Sequence, residues 1–208
     1  MPLHTPPTLI DMVAALAERE HGVTVYDRRG RKKTTHSYRE VHVRARAWGA
    51  WFKAQGVSPG EIVFLCLPTS HDLVEAFLGA VLLGALPCNL ALPRAVGGLE
   101  VFKRRLQRLA EPFPGAHLVA SEEVGMQTGR TFFVAPSDLD VDQQVELTPV
   151  DPGALAYVQL TSGSTTTPKA VSISHSNLAA NVRAIMKAGG EDTQEAFVSW
   201  LPLYHDMG

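Results

Sequence analysis

The stretch Glu61-Ile62-Val63-Phe64-Leu65-Cys66-Leu67 is an apolar run without alternation. It therefore reads as a strand buried on both faces. Ser70 is placed to cap a helix directly after it, Gly84 to end that helix, and Leu86–Leu90 to form a second short apolar strand. Strand, helix and strand in that order make a right-handed crossover unit with parallel strands. The fold class expected is α/β, a mostly parallel sheet with flanking helices.

The remaining segments fit around that unit. Leu9, Met12, Val13, Leu16 and Ala17 recur on one helical face between Thr8 and Arg19. Val23–Tyr26 and Lys33–His36 read as strands joined across a basic turn at Arg28–Arg31. Ser37-Tyr38-Arg39-Glu40 is a capping box, opening a helix that runs to about Gln55 and ends at Gly56. A further helix is expected at Leu99–Ala110 and a strand at Ala116–Ala120. Residues 135–153 are acidic, carry prolines and hold no Lys or Arg, so they form a connecting loop or a seam between subdomains.

Composition narrows the class. With 208 residues, 45% of them hydrophobic and 19% charged, the chain is too apolar to be disordered, and two cysteines are too few for a disulfide scaffold. Cys66 and Cys88 lie in apolar surroundings without metal or redox spacing and read as reduced core residues. The longest apolar block, Ala76–Leu86, is bounded by Glu75 and Pro87 and is too short to span a bilayer. The N-terminus lacks the pattern of a signal peptide. A cytoplasmic protein without membrane insertion is expected. Two basic clusters, Arg28–Lys33 and Lys103–Arg108, could contact nucleic acid or anionic lipid. Neither is interleaved with aromatic residues that could stack on bases, which favours a hairpin turn for the first and a solvated helix face for the second. No nucleic-acid partner is expected.

The chemistry concentrates in Thr161-Ser162-Gly163-Ser164-Thr165-Thr166-Thr167-Pro168-Lys169, entered from the apolar strand Ala156–Leu160 and left through Val171-Ser172-Ile173. Hydroxyls, glycine backbone and one lysine in a single loop suit phosphate oxygens. Gly163 and Lys169 have Walker A spacing, but Pro168 and Ala170 replace the second glycine and the metal-binding hydroxyl. The loop also leads into a strand where a Walker loop opens a helix. A Ser162 or Ser164 nucleophile finds no elbow motif and no suitably spaced histidine. A purely structural Ser/Thr turn is the plainer alternative.

Thr161-Ser162-Gly163-Ser164-Thr165 followed by Pro168-Lys169 resembles the phosphate loop of the adenylate-forming superfamily, and Val171–Leu178 its next strand and helix start. Ser199-Trp200-Leu201-Pro202-Leu203-Tyr204-His205-Asp206-Met207-Gly208 is similar to the following motif as seen in fatty acyl-AMP ligases, and Ser37–Glu40, Leu67–Ser70 and Ala76–Ala80 resemble upstream runs. Two positions depart from the superfamily, which usually has Gly where Thr166 and Ala170 stand; the fatty acyl branch varies at the first. Ala170 would be strained if its site needed positive φ.

The resemblance implies an ATP- and Mg²⁺-dependent ligase that activates a fatty acid to its adenylate, releasing pyrophosphate, for transfer to an acyl carrier protein. It implies that Thr161, Ser162, Gly163, Ser164, Thr165, Thr166 and Lys169 hold the phosphates. Lys169 and His205 would be catalytic, His205 lying near carboxylate and phosphate with Asp206 as its neighbour. No metal ligand is assigned. His175 reads as a polar residue at a helix entry, and Trp200 and Tyr204 as packing the acyl region or the core. Residues 1–208 are expected to be the N-terminal part of the large adenylation domain, without the small C-terminal domain, so that the chain alone is inactive and exposes apolar surface. The alternatives are a fragment of an acyl-CoA or aminoacyl-activating synthetase, or an inert nucleotide-binding or interaction module.

Overall fold

In the computed structural model, which describes residues 6–27, 29–161, 169–189 and 196–205, the chain opens with helix α1 (Leu9–Leu16). Thr8 caps it, its Oγ1 accepting from the Asp11 N–H at 3.1 Å and donating to the Asp11 carboxylate at 2.6 Å. Strands β1 (Gly22–Tyr26) and β2 (Lys32–Ser37) pair antiparallel. At their turn the Asp27 carboxylate accepts from the backbone N–H groups of Arg29 and Arg31 and from the Arg31 side chain. These bonds, the Arg31 backbone first, hold the Asp27 carboxyl below its ordinary range. The first basic cluster is thus a hairpin turn, as its composition suggested.

Helix α2 (Tyr38–Ala54) begins with both halves of the expected capping box: Ser37 Oγ accepts from the Glu40 N–H, and Glu40 accepts from the Ser37 N–H. The chain leaves it through Gly56 at φ +88°. Strand β3 (Ile62–Cys66) is buried at every residue. Ser70 then caps helix α3 (His71–Leu83), which ends in a left-handed Gly84 at φ +84° before strand β4 (Leu86–Asn89). A 3₁₀ turn at Pro93–Val96 leads to helix α4 (Leu99–Ala110), followed by strand β5 (His117–Ala120) and helix α5 (Glu122–Thr128). The order β4-β3-β5 is parallel throughout, with Val63 opposite both Pro87 and His117.

Alternate residues of β3 feed two cores. Val63 and Leu65 pack with Trp48, Phe52, Ala76 and Ala80 of α2 and α3. Ile62, Phe64 and Cys66 pack with Phe102, Leu106 and Leu109 of α4. Each buried Val, Leu, Ile or Phe among them contributes about 1.5–3 kcal/mol. Burial pushes the Cys66 and Cys88 thiols up to about 12, so both stay protonated core residues. Helices α2 and α3 approach closely at Gly49 and Gly79; a Cβ on Gly79 would lie 2.5 Å from the Trp48 Cβ and 2.6 Å from the Ala45 carbonyl.

The acidic segment 135–153 contains no helix or strand, yet it packs on the body of the protein. Val145 and Arg46 are doubly tied, backbone to backbone and guanidinium to carbonyl, each at 3.0 Å. Leu139 enters the α2–α3 core. The chain then forms strand β6 (Leu155–Thr161), its antiparallel partner β7 (Lys169–Ser174) and helix α6 (His175–Gly189). Strand β6 runs beside β4, so the parallel sheet and the β6–β7 pair share a flank.

Candidate active site

The apolar alternation of Ala156 and Val158 buries one face of β6 and leaves its C-terminal end, Leu160 and Thr161, half-buried at the molecular edge. Register pairing puts Thr161 directly opposite Lys169, and cross-strand partners share a face. A hydroxyl and an ammonium therefore flank the two ends of the Ser/Thr/Gly segment. Ser162, Gly163, Ser164, Thr165 and Thr166 lie outside the described residues. Ala170 sits in the ladder opposite Leu160, and among the described residues no non-glycine has positive φ, so its methyl group is carried without strain.

The second part of the site comes from residues 203–205. Two amides hold this turn from neighbouring strands. Asn89, at the end of β4, donates from Nδ2 to the Leu203 carbonyl at 3.0 Å. Gln159 of β6 donates from Nε2 to the Tyr204 carbonyl at 3.1 Å. The His205 N–H closes the turn onto the Pro202 carbonyl at 2.9 Å, and Leu203 packs against the α2–α3 core. Neither Asn89 nor Gln159 was among the expected site residues. Their only sequence signal is an amide inside an otherwise apolar strand.

These parts meet at a cavity of about 260 Å³. Leu160, Thr161, Tyr204 and His205 line it together with the apolar Phe102, Leu106 and Leu109 of α4. Arg105 of the second basic cluster also lines the cavity, whereas Arg104, Gln107 and Arg108 lie on the exposed side of the helix. The cluster is therefore only in part the solvated face expected of it. The structure thus brings Thr161 and His205 to one cavity and Lys169 across the ladder from Thr161; Asp206 lies outside the described residues. Tyr204 packs at the cavity as expected. Trp200 does not: it is 88% exposed, because the irregular stretch 196–200 lays no side chain into the core. The described lining offers hydroxyl and amide groups but no carboxylate, so by itself it does not fit a Mg²⁺ ion.

Chemically, the described residues combine the Thr161 hydroxyl at a strand end with an apolar cavity and one imidazole, that of His205. The chain belongs to the family of AMP-binding enzymes, whose model matches residues 13–95 and 101–208. Among its relatives, a Caulobacter vibrioides protein provisionally named an acyl-CoA synthetase is 32% identical over 97% of this chain and 37% of its own length. The long-chain-fatty-acid–AMP ligase FadD26 of Mycobacterium marinum is 34% identical over 84% of this chain and 32% of its own. A solved structure from a study of the fatty acyl-adenylate ligases of E. coli and L. pneumophila superimposes with a TM-score of 0.84 at 31% identity, over 98% of this chain and 38% of that one. The chain thus spans about a third of the length of these proteins. It shares their mixed α/β architecture.

Proposed function

We propose that this chain supplies the phosphate-binding part of an ATP-dependent fatty acyl-adenylating site, and that residues 1–208 are the N-terminal part of its large adenylation domain. One observation carries the reading: Thr161, which begins the Ser/Thr/Gly segment, and His205 line a single cavity together with apolar side chains of α4. In the reaction, a fatty acid carboxylate oxygen bonds to the α-phosphorus of ATP, the bond to the bridging oxygen breaks, and pyrophosphate leaves. Such phosphoryl chemistry needs alignment and charge neutralisation more than covalent help. Thr161, Ser162, Gly163, Ser164, Thr165 and Thr166 would grip the phosphates, with Lys169 as a point charge against the negative charge that develops on them. His205 would donate a hydrogen bond to the carboxylate or α-phosphate oxygen. Phe102, Leu106 and Leu109 would take the start of the acyl chain. Mg²⁺ enters with the nucleotide as part of the substrate, and the proposed acceptor of the acyl group is an acyl carrier protein in the cytoplasm.

The likeness to a provisional acyl-CoA synthetase favours one second reading, the same adenylation with coenzyme A as acceptor. Calorimetric titration of ATP onto the chain tests the site. Lys169→Ala is expected to weaken binding about 13-fold or more, which converts to about 1.5 kcal/mol, the lower end of the range for a hydrogen bond to a charged group. Unchanged affinity removes Lys169 from the site. Pyrophosphate release with a fatty acid present is expected to be nearly absent for the 208-residue chain alone, and robust turnover would overturn its assignment as one part of the domain. Supplying carrier protein or coenzyme A to preformed acyl-adenylate separates the two acceptors.

A further inference from the structure

Where β2 meets α2 and α3, ionisable side chains gather away from the cavity described above. Glu75 is fully buried, and its two oxygens are engaged separately. His36 Nδ1 lies 2.6 Å from Oε1, and the Arg44 Nε–H donates to Oε2 at 2.7 Å. His71, the first residue of α3, is 6% exposed and stacks on His36 with ring centroids 3.8 Å apart and planes 14° apart. Its Nε2 faces the Thr34 carbonyl at 3.3 Å. A carbonyl only accepts, so Nε2 carries the proton and Nδ1 carries a lone pair. That Nδ1 is buried and has no hydrogen-bond partner. Buried polar atoms are nearly always satisfied, so an orphaned imidazole nitrogen beside a carboxylate and a second imidazole signals an absent partner.

We propose that His36, His71 and Glu75 bind a divalent transition-metal cation of the zinc class. Each side chain offers one ligand atom, and the three atoms lie within 4.8 Å of one another. Two imidazoles and one carboxylate suit zinc or its neighbours, whereas Mg²⁺ and Ca²⁺ prefer all-oxygen sets. His71 and Glu75 are four apart on α3 and so share a face. The supports are in place: Arg44 occupies Oε2 and leaves Oε1 to ligate, and the Thr34 carbonyl fixes the His71 tautomer. Charge also favours a cation. Asp72, 3.8 Å from Arg44, adds to Glu75, and together they outnumber the Arg44 guanidinium.

Loading requires movement. Ligands about 2.05 Å from a tetrahedral ion stand about 3.3 Å apart, so the His36–Glu75 hydrogen bond must open and the two rings must tilt out of their stack. His36 can move, since its side chain is 24% exposed, and its proton then resides on Nε2 toward water. The bound ion would clip β2 to α3.

The untagged chain, stripped with chelator, is titrated with Zn²⁺ by calorimetry and with Co²⁺ by visible absorption. One tight equivalent is expected, with a rise in thermal midpoint, visible Co²⁺ bands and no competition from millimolar Mg²⁺. His71→Phe keeps the ring stack without the nitrogen, and His36→Gln changes the accessible edge; each is expected to weaken Zn²⁺ binding at least 10-fold. No binding, or binding altered less than 2-fold in a variant that still melts cooperatively, overturns the proposal and leaves the cluster a hydrogen-bonded latch.

Discussion

His175 shows how one side chain ties distant parts of the sequence. It begins α6, is 3% exposed, and its Nδ1 accepts the Leu9 N–H at 3.1 Å, which joins α1 to α6. Burial pushes its pKa down, and Asp11 offsets this only in part. The folded state therefore holds the neutral ring, while the unfolded chain takes up a proton from about pH 6.5 downward. Its stability contribution is full above that pH and is lost as pH falls toward the depressed folded value. Thermal melts from about pH 7.5 to 5 should show wild type losing its advantage over His175→Gln on acidification. Parallel curves for the two proteins would refute this. Asp27, Glu40 and Glu61 are also depressed, by hydrogen bonds from backbone N–H groups first, but they titrate in the more acidic carboxylate window and are common to both proteins.

At the scale of elements, the α2–α3 crossing depends on two residues without side chains. A Cβ at Gly49 meets the Val145 side chain at 2.6 Å and the Gly79 carbonyl at 3.0 Å, and one at Gly79 is tighter still, 2.5 Å from the Trp48 Cβ and 2.6 Å from the Ala45 backbone carbonyl. Gly79→Ala gains helix propensity of up to about 1 kcal/mol. Separating the helices costs about 1–3 kcal/mol, so a net loss is expected in urea unfolding. A variant as stable as wild type would mean that the helices part freely. The same contrast marks what could be read from the sequence. The Ser37 box, the Ser70 cap, Gly84 and the buried β3 run were legible because each acts within a few residues. The Asn89 and Gln159 amides reach carbonyls more than forty positions away, and nothing local announces them. Glu75 seemed only the polar border of an apolar helix, yet Arg44 and His36 satisfy it fully buried. The Ser/Thr/Gly segment stands out by composition, but the cavity needed α4, and Arg105 lines it from a cluster whose composition suggested a solvated face.

For the molecule as a whole, large apolar side chains stand exposed in its later part: Val171, Ile185, Phe197, Val198 and Trp200, the last three at least 80% exposed. Apolar surface on this scale drives association. Sedimentation of the chain should show concentration-dependent self-association, and Trp200→Ser should reduce it. A monodisperse monomer at every concentration would argue against this. Among the described residues no helix is long and apolar enough to cross a membrane.

The Thr161–Lys169 pair has one more consequence. Its spacing is fixed by the ladder, so residues added or removed between the two leave both anchors where they are, and a longer closure costs entropy that grows only logarithmically with length. The strand pair therefore acts as a socket: segments of different length and composition could be exchanged in it without rebuilding the sheet.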